Sequence, residues 1–446
     1  MTISRTICLG FIAVIAVGTL LLAMPFSTST GEWNDPIVAL FTSTSAVCVT
    51  GLAVVDTGQY FSFWGQFFII LLAQIGGLGY MTTTTFLILL VGRKFDLRHK
   101  LAIQDAFDRP LLHGSRTLIR SIFAMTLIFE IAGIFLLLGT FTRDYGLRNG
   151  LWMAIFHSIS AWNNAGFSLL SDSFVRYQVS PTVNLVIPAL IILGGIGYQV
   201  IFECYLWLEN FIKREKRQYL FSLNFKVVTS TTLFLLIAGM IAFYLTEIHN
   251  PETLGKIDFS QNIIAAWFQS VTTRTAGFNT IEIGQMTNAG LFITIAFMLI
   301  GASPSGTGGG IKTTTFRIII HCTYSILQGK DEVILYGRTL PSSSLLKAIA
   351  VVFGSVTTIV MAVILLFVTE VEGKFEFIQI FFEVVSAFAT VGLSMGITAS
   401  LSAWGKLILV AVMYMGRVGV LLLMAAILGD PRPSVIRYPE ENLLVG

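Results

Sequence analysis

Long apolar segments alternate with shorter polar ones along the whole chain. A helix needs about 20 apolar residues to cross the hydrocarbon core of a bilayer. Segments of about that length or more lie near residues 6–26, 66–91, 117–140, 181–211, 225–247, 285–326, 344–369 and 402–428. The pattern predicts eight membrane-spanning helices. The first segment could instead be a signal peptide, but it is long enough to span and no clear small-residue cleavage site follows, which favours a retained helix.

A shorter apolar segment stands inside each pair of long ones. These segments lie near residues 35–47, 150–162, 258–273 and 376–389. Each is too short to cross the membrane and is followed within a few residues by a glycine. Such segments are typical of half-length helices that enter the membrane and turn back, which is tolerated where the bare backbone lines a cavity rather than lipid.

The glycines that follow the half-helices recur at a nearly constant interval. They are Gly51, Gly166, Gly277 and Gly392, at spacings of 115, 111 and 115 residues. An aromatic residue stands ten positions before each: Phe41, Phe156, Trp267 and Phe382. A second column follows in the next long segment, as "IGGLG" from Ile75, "LGGIG" from Leu193, "IGAS" from Ile300 and "MGRVG" from Met415. A period this long with two aligned columns indicates an internal repeat.

The sequence therefore predicts an all-α polytopic membrane protein with four pseudo-repeats of helix, pore half-helix, filter loop and helix around a central pore. The predicted units are residues 1–91 for the first, 92–211 for a linker and the second, 212–326 for a linker and the third, 327–428 for a linker and the fourth, and 429–446 for a tail.

The composition agrees with a membrane protein. Only 12% of the 446 residues are charged and 54% are hydrophobic, whereas soluble proteins carry about 25% charge. The net charge of +3 is too small to suggest a nucleic-acid partner. The four cysteines stand singly and show neither a zinc spacing nor a disulfide framework: Cys8, Cys48, Cys204 and Cys322.

The basic residues predict the orientation. The linkers 92–121, 212–226 and 312–347, together with the two ends of the chain, hold 20 of the 28 Lys and Arg residues. By the positive-inside rule both termini and these linkers are cytoplasmic, and the half-helix loops open outside.

The loops after the half-helices are candidates for an ion filter. A half-helix points its partly negative C-terminal end toward the bilayer centre, where a cation would pause. Glycine lets the next carbonyls turn inward, and four loops then stack rings of oxygen that replace an ion's hydration shell. The candidate residues are Val49, Thr50, Gly51, Leu52, Asn164, Ala165, Gly166, Phe167, Thr275, Ala276, Gly277, Phe278, Thr390, Val391, Gly392 and Leu393. The alternative is that these glycines only allow close helix packing.

At these residues the chain resembles the Trk/Ktr/HKT superfamily of K⁺ transporters, and within it the KtrB-type membrane subunits of bacterial Ktr systems. The motifs are "CVTGL", "NNAGF", "TRTAGF" and "ATVGL", together with "GASPSGTGGGIKTTTF". The resemblance implies a four-fold pseudo-symmetric K⁺ pore in the bacterial cell (inner) membrane, a homodimer and a cytoplasmic ring of nucleotide-binding, KtrA-like regulatory subunits. It also implies that a glycine in each loop marks K⁺ selection. No loop carries the serine associated with Na⁺-permeable relatives.

The second helix of the third unit is interrupted by a stretch that cannot stay helical at mid-membrane. Residues 300–316 read "IGASPSGTGGGIKTTTF" and contain five glycines and a proline. We expect residues 301–313 of this stretch to lie beneath the filter and to act as a gating loop within the membrane. Its candidate residues are Gly301, Ser303, Pro304, Ser305, Gly306, Thr307, Gly308, Gly309, Gly310 and Lys312. A phosphate-binding loop is excluded because Ile311 separates the Gly–Lys pair, and an ordinary cytoplasmic turn stays open.

Arg417 lies inside the last long apolar segment, in "YMGRVGV". An arginine at that depth is costly, so it is expected to face the interior and to serve a function. In the repeat alignment it takes the place of Gly77 and Gly195, level with the loop. We therefore expect a positive barrier below the filter, held by carbonyls of the loop; a snorkelling arginine or a structural salt bridge is the alternative.

Other polar residues near the filter are weaker candidates. Asn163 and Arg274 stand three residues before a filter glycine and could brace the loop. His157 and Glu383 stand nine before and are expected to be buried structural groups. The carboxylates after the filters could attract cations at the outer mouth, or could do nothing specific: Asp56, Asp172 and Glu282.

The predicted function is K⁺ uptake down its electrochemical gradient through this filter, with K⁺ as the transported ion and Na⁺ as a possible activator. A Na⁺-coupled or Na⁺-permeable cation symporter is the alternative. An enzyme is not expected, because the chain has no Walker motif, no phosphorylatable aspartate motif and no catalytic triad spacing. No cofactor is expected in this chain.

Overall fold

The computed structural model describes residues 3–79, 115–213, 219–255, 258–330, 332–371 and 373–429, which are almost entirely helical. The helices are α1 Ile3–Ala23, α2 Pro36–Val47, α3 Thr57–Tyr60, α4 Phe63–Leu78, α5 Ser115–Trp162, α6 Pro181–Gly195, α7 Tyr198–Ile212, α8 Leu223–Glu247, α9 Phe259–Thr272, α10 Asn288–Leu299, α11 Thr313–Leu327, α12 Ser342–Thr369, α13 Phe377–Phe388, α14 Ala403–Val418 and α15 Val420–Leu428. Short 3₁₀ helices cover Pro25–Ser27, Val175–Tyr177, Ile283–Gln285 and Thr398–Ser400. A small antiparallel hairpin pairs β1 Ile334–Leu335 with β2 Arg338–Thr339.

All four predicted half-helices are present. They are α2, the last part of α5, α9 and α13. α2 begins at a proline directly after Asp35, whose carboxylate accepts from Ile37 N at 2.7 Å, a favourable helix start. In unit 2 the first helix and the half-helix run together as α5, with a break at Gly146, where φ is 75°.

The second helices of units 2 and 4 are broken, and here the prediction of one continuous helix over 181–211 and over 402–428 is wrong. α6 and α7 meet at 101°, and α14 and α15 meet at 95°. The breaks lie at Gly197 and Gly419, where φ is 96° and 89°, a conformation that glycine adopts without steric cost. Both glycines are the last residue of their motif in the second repeat column, "LGGIG" and "MGRVG". The second helix is therefore interrupted in units 2 and 4 as well as in unit 3.

The second helix of unit 3 is also interrupted, and in unit 1 the described part of the second helix ends at the glycine of the same repeat column. α4 ends before Gly79, where φ is 78°, and the rest of the predicted helix 66–91 lies outside the described residues. In unit 3, α10 ends at Leu299 and α11 begins at Thr313. We call these four places, Gly79, Gly197, residues 300–312 and Gly419, the break layer.

The described residues contain four helices that are long and apolar enough to cross a membrane, and six if each bent pair counts as one span. The remaining two predicted spans correspond to the shorter apolar helices α4 and α10. Most of the linker 92–121, part of the linker 212–226 and the tail from 430 onward lie outside the described residues.

Buried glutamates join the first helix to the second in units 3 and 4. Glu247, at the end of α8, accepts hydrogen bonds from Thr287 N at 3.0 Å and Thr287 Oγ1 at 2.7 Å. Glu370, directly after α12, accepts from Ser402 N at 3.0 Å and Ser402 Oγ at 2.7 Å. Thr287 and Ser402 are the N-caps of α10 and α14, so the same contact sets where each second helix starts.

Candidate functional site

Each half-helix ends in the same unusual backbone conformation. The residue two before the glycine has a positive φ although it carries a side chain: 58° at Val49, 57° at Asn164, 65° at Thr275 and 52° at Thr390. The glycine itself is also left-handed in all four units, between 71° and 92°. A left-handed residue with a side chain costs about 1–2 kcal/mol, so tertiary packing must hold four such residues in place.

Hydrogen bonds close three of these ends as Schellman motifs, in which the chain turns back after a left-handed residue. The bond that spans six residues is present in units 1, 2 and 4: Thr50 N to Ser45 O at 2.8 Å, Ala165 N to Ser160 O at 2.7 Å and Val391 N to Ser386 O at 2.9 Å. Unit 3 differs by one residue, because Ala276 N bonds Thr272 O at 3.0 Å instead.

The four glycines lie together in a closed ring. A Cβ atom placed on Gly51 would lie 2.6 Å from the carbonyl oxygen of Ala165, and one on Gly166 would lie 2.8 Å from that of Ala276. One on Gly277 would lie 2.5 Å from the carbonyl oxygen of Val391. One on Gly392 would collide with the carbonyl oxygen of Thr50.

Each glycine thus packs against the carbonyl that precedes the glycine of the next unit, in the order 1, 2, 3, 4 and back to 1. Units 1 and 3 face each other across the ring, as do units 2 and 4. The loops that form it are residues 49–52, 164–167, 275–278 and 390–393, and we call them the glycine loops. The carbonyls of Thr50, Ala165, Ala276 and Val391 lie against the ring glycines, and no side chain fits between neighbouring loops there.

Hydroxyl groups of the half-helices support the glycine loops from behind. Ser160 Oγ donates to Phe167 O at 2.8 Å, and Thr272 Oγ1 donates to Phe278 O at 2.5 Å. In unit 4 the direction is reversed, since Gly392 N donates to Ser386 Oγ at 3.1 Å. In units 2, 3 and 4 these bonds tie one carbonyl or amide of the loop to its own half-helix.

The second repeat column follows from a close helix crossing. A Cβ on Gly76, Gly194 or Gly416 would collide with the carbonyl oxygen of the residue four before a ring glycine, which is Val47, Trp162 or Phe388. The second helix therefore packs directly on the end of the half-helix in units 1, 2 and 4. Only glycine permits backbone approach this close.

An open cavity of about 440 Å³ lies on one side of the ring, and we call it the vestibule. All four ring glycines line it, and so do the three carboxylates expected at an outer mouth, Asp56, Asp172 and Glu282. Asp172 is paired with Arg176 at 3.1 Å, and both side chains are partly exposed.

The loop 300–312 lies on the other side of the ring. Thr307 Oγ1 donates to Asn164 Oδ1 at 2.9 Å, and Gly309 N donates to Thr390 Oγ1 at 2.9 Å. A Cβ on Gly308 would collide with Thr275 Oγ1. The loop thus contacts the left-handed residues of three glycine loops, those of units 2, 3 and 4.

The same loop is pinned to the broken second helix of unit 2. Ser303 N donates to Gly195 O at 3.0 Å, Thr307 N to Gly194 O at 3.2 Å, and Tyr198 N to Ser305 O at 3.2 Å. Pro304 and Gly306 lie against the same bend, close to Gly197 and Gly195. The base of the loop closes on itself through Gly301 N to Ile311 O at 2.8 Å, with Gly310 left-handed at φ 68°.

Two positive side chains hold the loop. Arg417 donates from Nη1 to Thr307 O and from Nη2 to Gly76 O, so it joins the loop to the end of α4. Lys312 Nζ donates to Gly308 O at 2.8 Å. Both cations bond carbonyls of the loop 300–312, on the side of the ring away from the vestibule.

The two polar residues three before the glycine make different contacts. Arg274 Nη2 lies 3.5 Å from Gly301 O at the base of the loop. The Asn163 amide binds Gln74 Oε1 at 2.6 Å and Glu130 Oε1 at 3.3 Å, which links unit 2 to the second helix of unit 1.

Sequence reasoning missed the left-handed residues and the contacts between units. Nothing local distinguishes Val49 or Thr390 from an ordinary β-branched residue, for which a positive φ is an outlier. The contact of Arg417 with Gly76 joins residues 341 apart in sequence. The sequence signal for a turn at these positions is the ring glycine that stands two residues after each left-handed residue.

The sequence matches the TrkH family, described as cation transport protein, over residues 7–434. The chain belongs to this family of membrane cation transport proteins, and it is a transporter rather than an enzyme.

Among its relatives, Ktr system potassium uptake protein B of Bacillus subtilis is 38% identical over 443 residues, covering 99% of this chain and 96% of the relative. The protein of the same name from Vibrio alginolyticus is 39% identical over 444 residues, covering 99% and 94%. Potassium/sodium uptake protein NtpJ of Enterococcus hirae is 37% identical over 445 residues, covering 99% and 97%. The fold is similar to the crystal structure of the potassium transporter TrkH from Vibrio parahaemolyticus, with a TM-score of 0.70 at 17% identity over 95% of this chain and 85% of that one.

Proposed function

We propose that this protein takes up K⁺ across the cell membrane through the ring of glycine loops. The observation that carries the proposal is the ring itself: four loops from one chain, each with its glycine against the carbonyl of the next. The names of the Bacillus and Vibrio relatives support K⁺ as the transported ion.

The chemistry of the ring suits a dehydrated alkali cation. The sixteen residues of the glycine loops form the proposed filter, and the carbonyls of Thr50, Ala165, Ala276 and Val391, which lie against the next ring glycine, would replace the hydration shell of the ion. The four half-helices end at the ring and add their partly negative C-termini. K⁺ is bound only as the substrate in transit, at these residues, and the proposal needs no resident metal or cofactor in this chain.

The loop 300–312 and Arg417 form the gate in this proposal. The loop touches three of the four glycine loops, and Arg417 and Lys312 place two positive charges beside the exit of the ring. A K⁺ ion leaving the ring would meet both charges, so the loop must move before ions pass. Its glycines and its attachment through hydrogen bonds rather than apolar packing favour such movement.

The proposed setting is a bacterial cell membrane with the vestibule outside and both termini in the cytoplasm. The distribution of Lys and Arg supports this orientation. The four units would follow the boundaries 1–91, 92–211, 212–326 and 327–428, with 429–446 as a cytoplasmic tail. A homodimer in the bilayer and a cytoplasmic ring of nucleotide-binding, KtrA-like subunits are the proposed partners, because two of the relatives quoted above are named as parts of Ktr systems.

A second candidate is a Na⁺-coupled or Na⁺-permeable transporter, with Na⁺ as a co-substrate or activator. The name of the Enterococcus relative, a potassium/sodium uptake protein, favours it. The glycines at all four ring positions favour K⁺ selection instead.

Flux of K⁺, Rb⁺ and Na⁺ into liposomes that contain the purified chain tests the proposal. Gly392→Ser is measured alongside, because its side chain would collide with the Thr50 carbonyl. We expect the unaltered protein to prefer K⁺ and Rb⁺ and the variant to lose that preference. Equal flux of Na⁺ and K⁺ in the unaltered protein would overturn K⁺ selection and favour the second candidate. Absent flux that Arg417→Ala restores would indicate a gate closed without its partner.

A further inference from the structure

The half-helices of units 2 and 4 each bury a polar side chain at the same repeat position, nine residues before the ring glycine. These side chains are His157 and Glu383, and neither exposes any surface. The same position holds Thr42 in unit 1 and Phe268 in unit 3. Burying a carboxylate or an imidazole costs free energy unless the group is hydrogen-bonded. The hydrogen-bond partners of each side chain therefore indicate which segment it positions.

Glu383 holds the chain just after the ring glycine of unit 4. Ser394 Oγ donates a hydrogen bond to Oε2 of Glu383 at 2.8 Å, and Thr398 Oγ1 donates to Oε1. Ser394 stands two residues after Gly392, and both hydroxyl residues line the vestibule. A fully buried carboxylate therefore fixes the outer end of this glycine loop from behind.

His157 makes the matching contact in unit 2. Its Nδ1 lies 2.8 Å from the carbonyl oxygen of Met153, which can only accept, so Nδ1 carries the proton. Nε2 is then an acceptor, and it receives hydrogen bonds from Ser168 Oγ at 3.0 Å and Leu169 N at 3.3 Å. Ser168 stands two residues after the ring glycine, as Ser394 does in unit 4. A neutral imidazole and a carboxylate thus hold equivalent hydroxyls.

Units 1 and 3 show no such contact among the described residues. Phe268 has no acceptor atom, and Ala53 of unit 1 replaces the serine. In unit 3 the serine position is Asn279, which the neighbouring unit holds instead: its N–H donates to Ser173 Oγ at 3.2 Å and its carbonyl accepts from Phe174 N at 2.9 Å. Because units 2 and 4 face each other, the buried contacts fasten the ring along one diagonal.

We propose that Glu383 and His157 are positioning residues that set the width of the ring along this diagonal and thereby its preference for K⁺ over Na⁺. The inference rests on the proposed function, since it assigns a role within that filter. Both side chains act through the hydroxyls of Ser394 and Ser168. A carbonyl ring discriminates between K⁺ and Na⁺ through the number and placement of its oxygens, and a released outer end would let the oxygens close around the smaller ion.

Flux ratios in liposomes with the full chain test this inference. Glu383→Leu removes both acceptor atoms, and Glu383→Gln keeps one. We expect Glu383→Leu to lower the K⁺/Na⁺ flux ratio by about tenfold, equivalent to ~1.4 kcal/mol. We expect Glu383→Gln to lower it by about threefold or less, because one acceptor remains. Thr42→Val changes the same position in unit 1 and should leave the ratio unchanged.

Ser394→Ala removes the partner of Glu383 from the wall of the vestibule. It should lower the flux ratio in the same direction, and the double variant Glu383→Leu/Ser394→Ala should be no worse than Glu383→Leu alone. Such non-additivity is the mark of residues that act through one contact. If Glu383→Leu does not fold, Ser394→Ala alone still tests whether this contact sets the flux ratio.

The outcomes separate this inference from the proposed function. If the unaltered chain prefers K⁺ and both Glu383→Leu and Ser394→Ala keep the same K⁺/Na⁺ flux ratio, this inference is wrong. The proposed filter is then still supported. Variants that lose total flux at an unchanged ratio show a purely structural role and also overturn it. An unaltered chain that does not discriminate overturns both.

Discussion

The glycine ring and the break layer next to it use the four units in opposite ways. In the ring, all four units repeat one backbone conformation, a left-handed residue and then a left-handed glycine. In the break layer, units 2 and 4 break at a single glycine, whereas unit 3 inserts the loop 300–312 and unit 4 adds Arg417. Ions of one kind are best selected by equivalent oxygens, but a barrier that opens needs one element that differs from its neighbours.

The comparison leads to a separation of effects. Substitutions in the ring should change which ion passes, whereas substitutions in the break layer should change how fast ions pass at the same selectivity.

Gly277→Ala should have the largest effect. Its Cβ would lie 2.5 Å from the Val391 carbonyl oxygen, and the residue is left-handed at φ 77°. A strain of about 1–2 kcal/mol corresponds to a factor of about 5 to 30 in rate, and the collision adds to it, so we expect the K⁺/Na⁺ flux ratio to fall by about tenfold. Gly139→Ala is the matched control, since nothing lies within 4 Å of its Cβ in helix α5. Equal ratios in the two variants would argue against a filter at the ring.

Arg417→Ala should raise K⁺ flux without changing the K⁺/Na⁺ ratio. The variant removes a positive charge and the only described link from the loop to Gly76. A barrier lowered by ~1.4 kcal/mol raises the rate by about tenfold. Lys406→Ala, at the other end of the same helix α14, serves as the control for loss of a cation and should leave flux unchanged. A lost K⁺ preference in Arg417→Ala would contradict the separation between the two layers.

Lys312→Met should have a smaller effect in the same direction. Its Nζ makes one hydrogen bond to the loop, to Gly308 O at 2.8 Å, whereas Arg417 bonds carbonyls of two elements. One charged hydrogen bond is worth roughly 1.5 kcal/mol or more in isolation, but Arg417 remains to hold the loop, and we expect about a threefold rise in flux. Lys312→Arg keeps the charge and should match the unaltered protein. A fall in flux with Lys312→Met would show that this lysine holds the path open.

The charges of the vestibule should have the smallest effect. Asp172→Asn removes one of its three carboxylates and should raise the KM for K⁺ by about twofold at low salt. Arg176→Gln frees Asp172 from its ion pair and should lower the KM by a similar factor. Both effects should vanish near 1 M salt, where the screening length is about 3 Å. An effect that persists at high salt would indicate direct ion binding by Asp172.

Much of the fold could be predicted from the sequence because the membrane imposes strict lengths. The half-helix predicted at 376–389 is observed at Phe377–Phe388, and the one predicted at 35–47 is observed at Pro36–Val47. The ring glycines were found because their spacing repeats. The predicted gate residues 301–312 and Arg417 are brought together by the structure, although their role as a gate remains a proposal.

The bends at Gly197 and Gly419 could not be predicted in the same way. Within an apolar segment, a glycine that lets two helices approach and a glycine that breaks a helix look alike. The distinction depends on what lies opposite, and for Gly197 that is Pro304 of the loop from another unit. The positive φ of Asn164 likewise depends on packing by Thr307, a residue 143 positions away.

The ring closes within a single polypeptide, and this has a genetic consequence. In a pore assembled from four identical chains, one codon change alters all four quarters at once. Here one codon change alters one quarter, so Thr50, Ala165, Ala276 and Val391 have been free to differ at one position of the ring. A single substitution can therefore change one loop of the ring while the other three stay as they are, so the four loops of the proposed filter can vary separately.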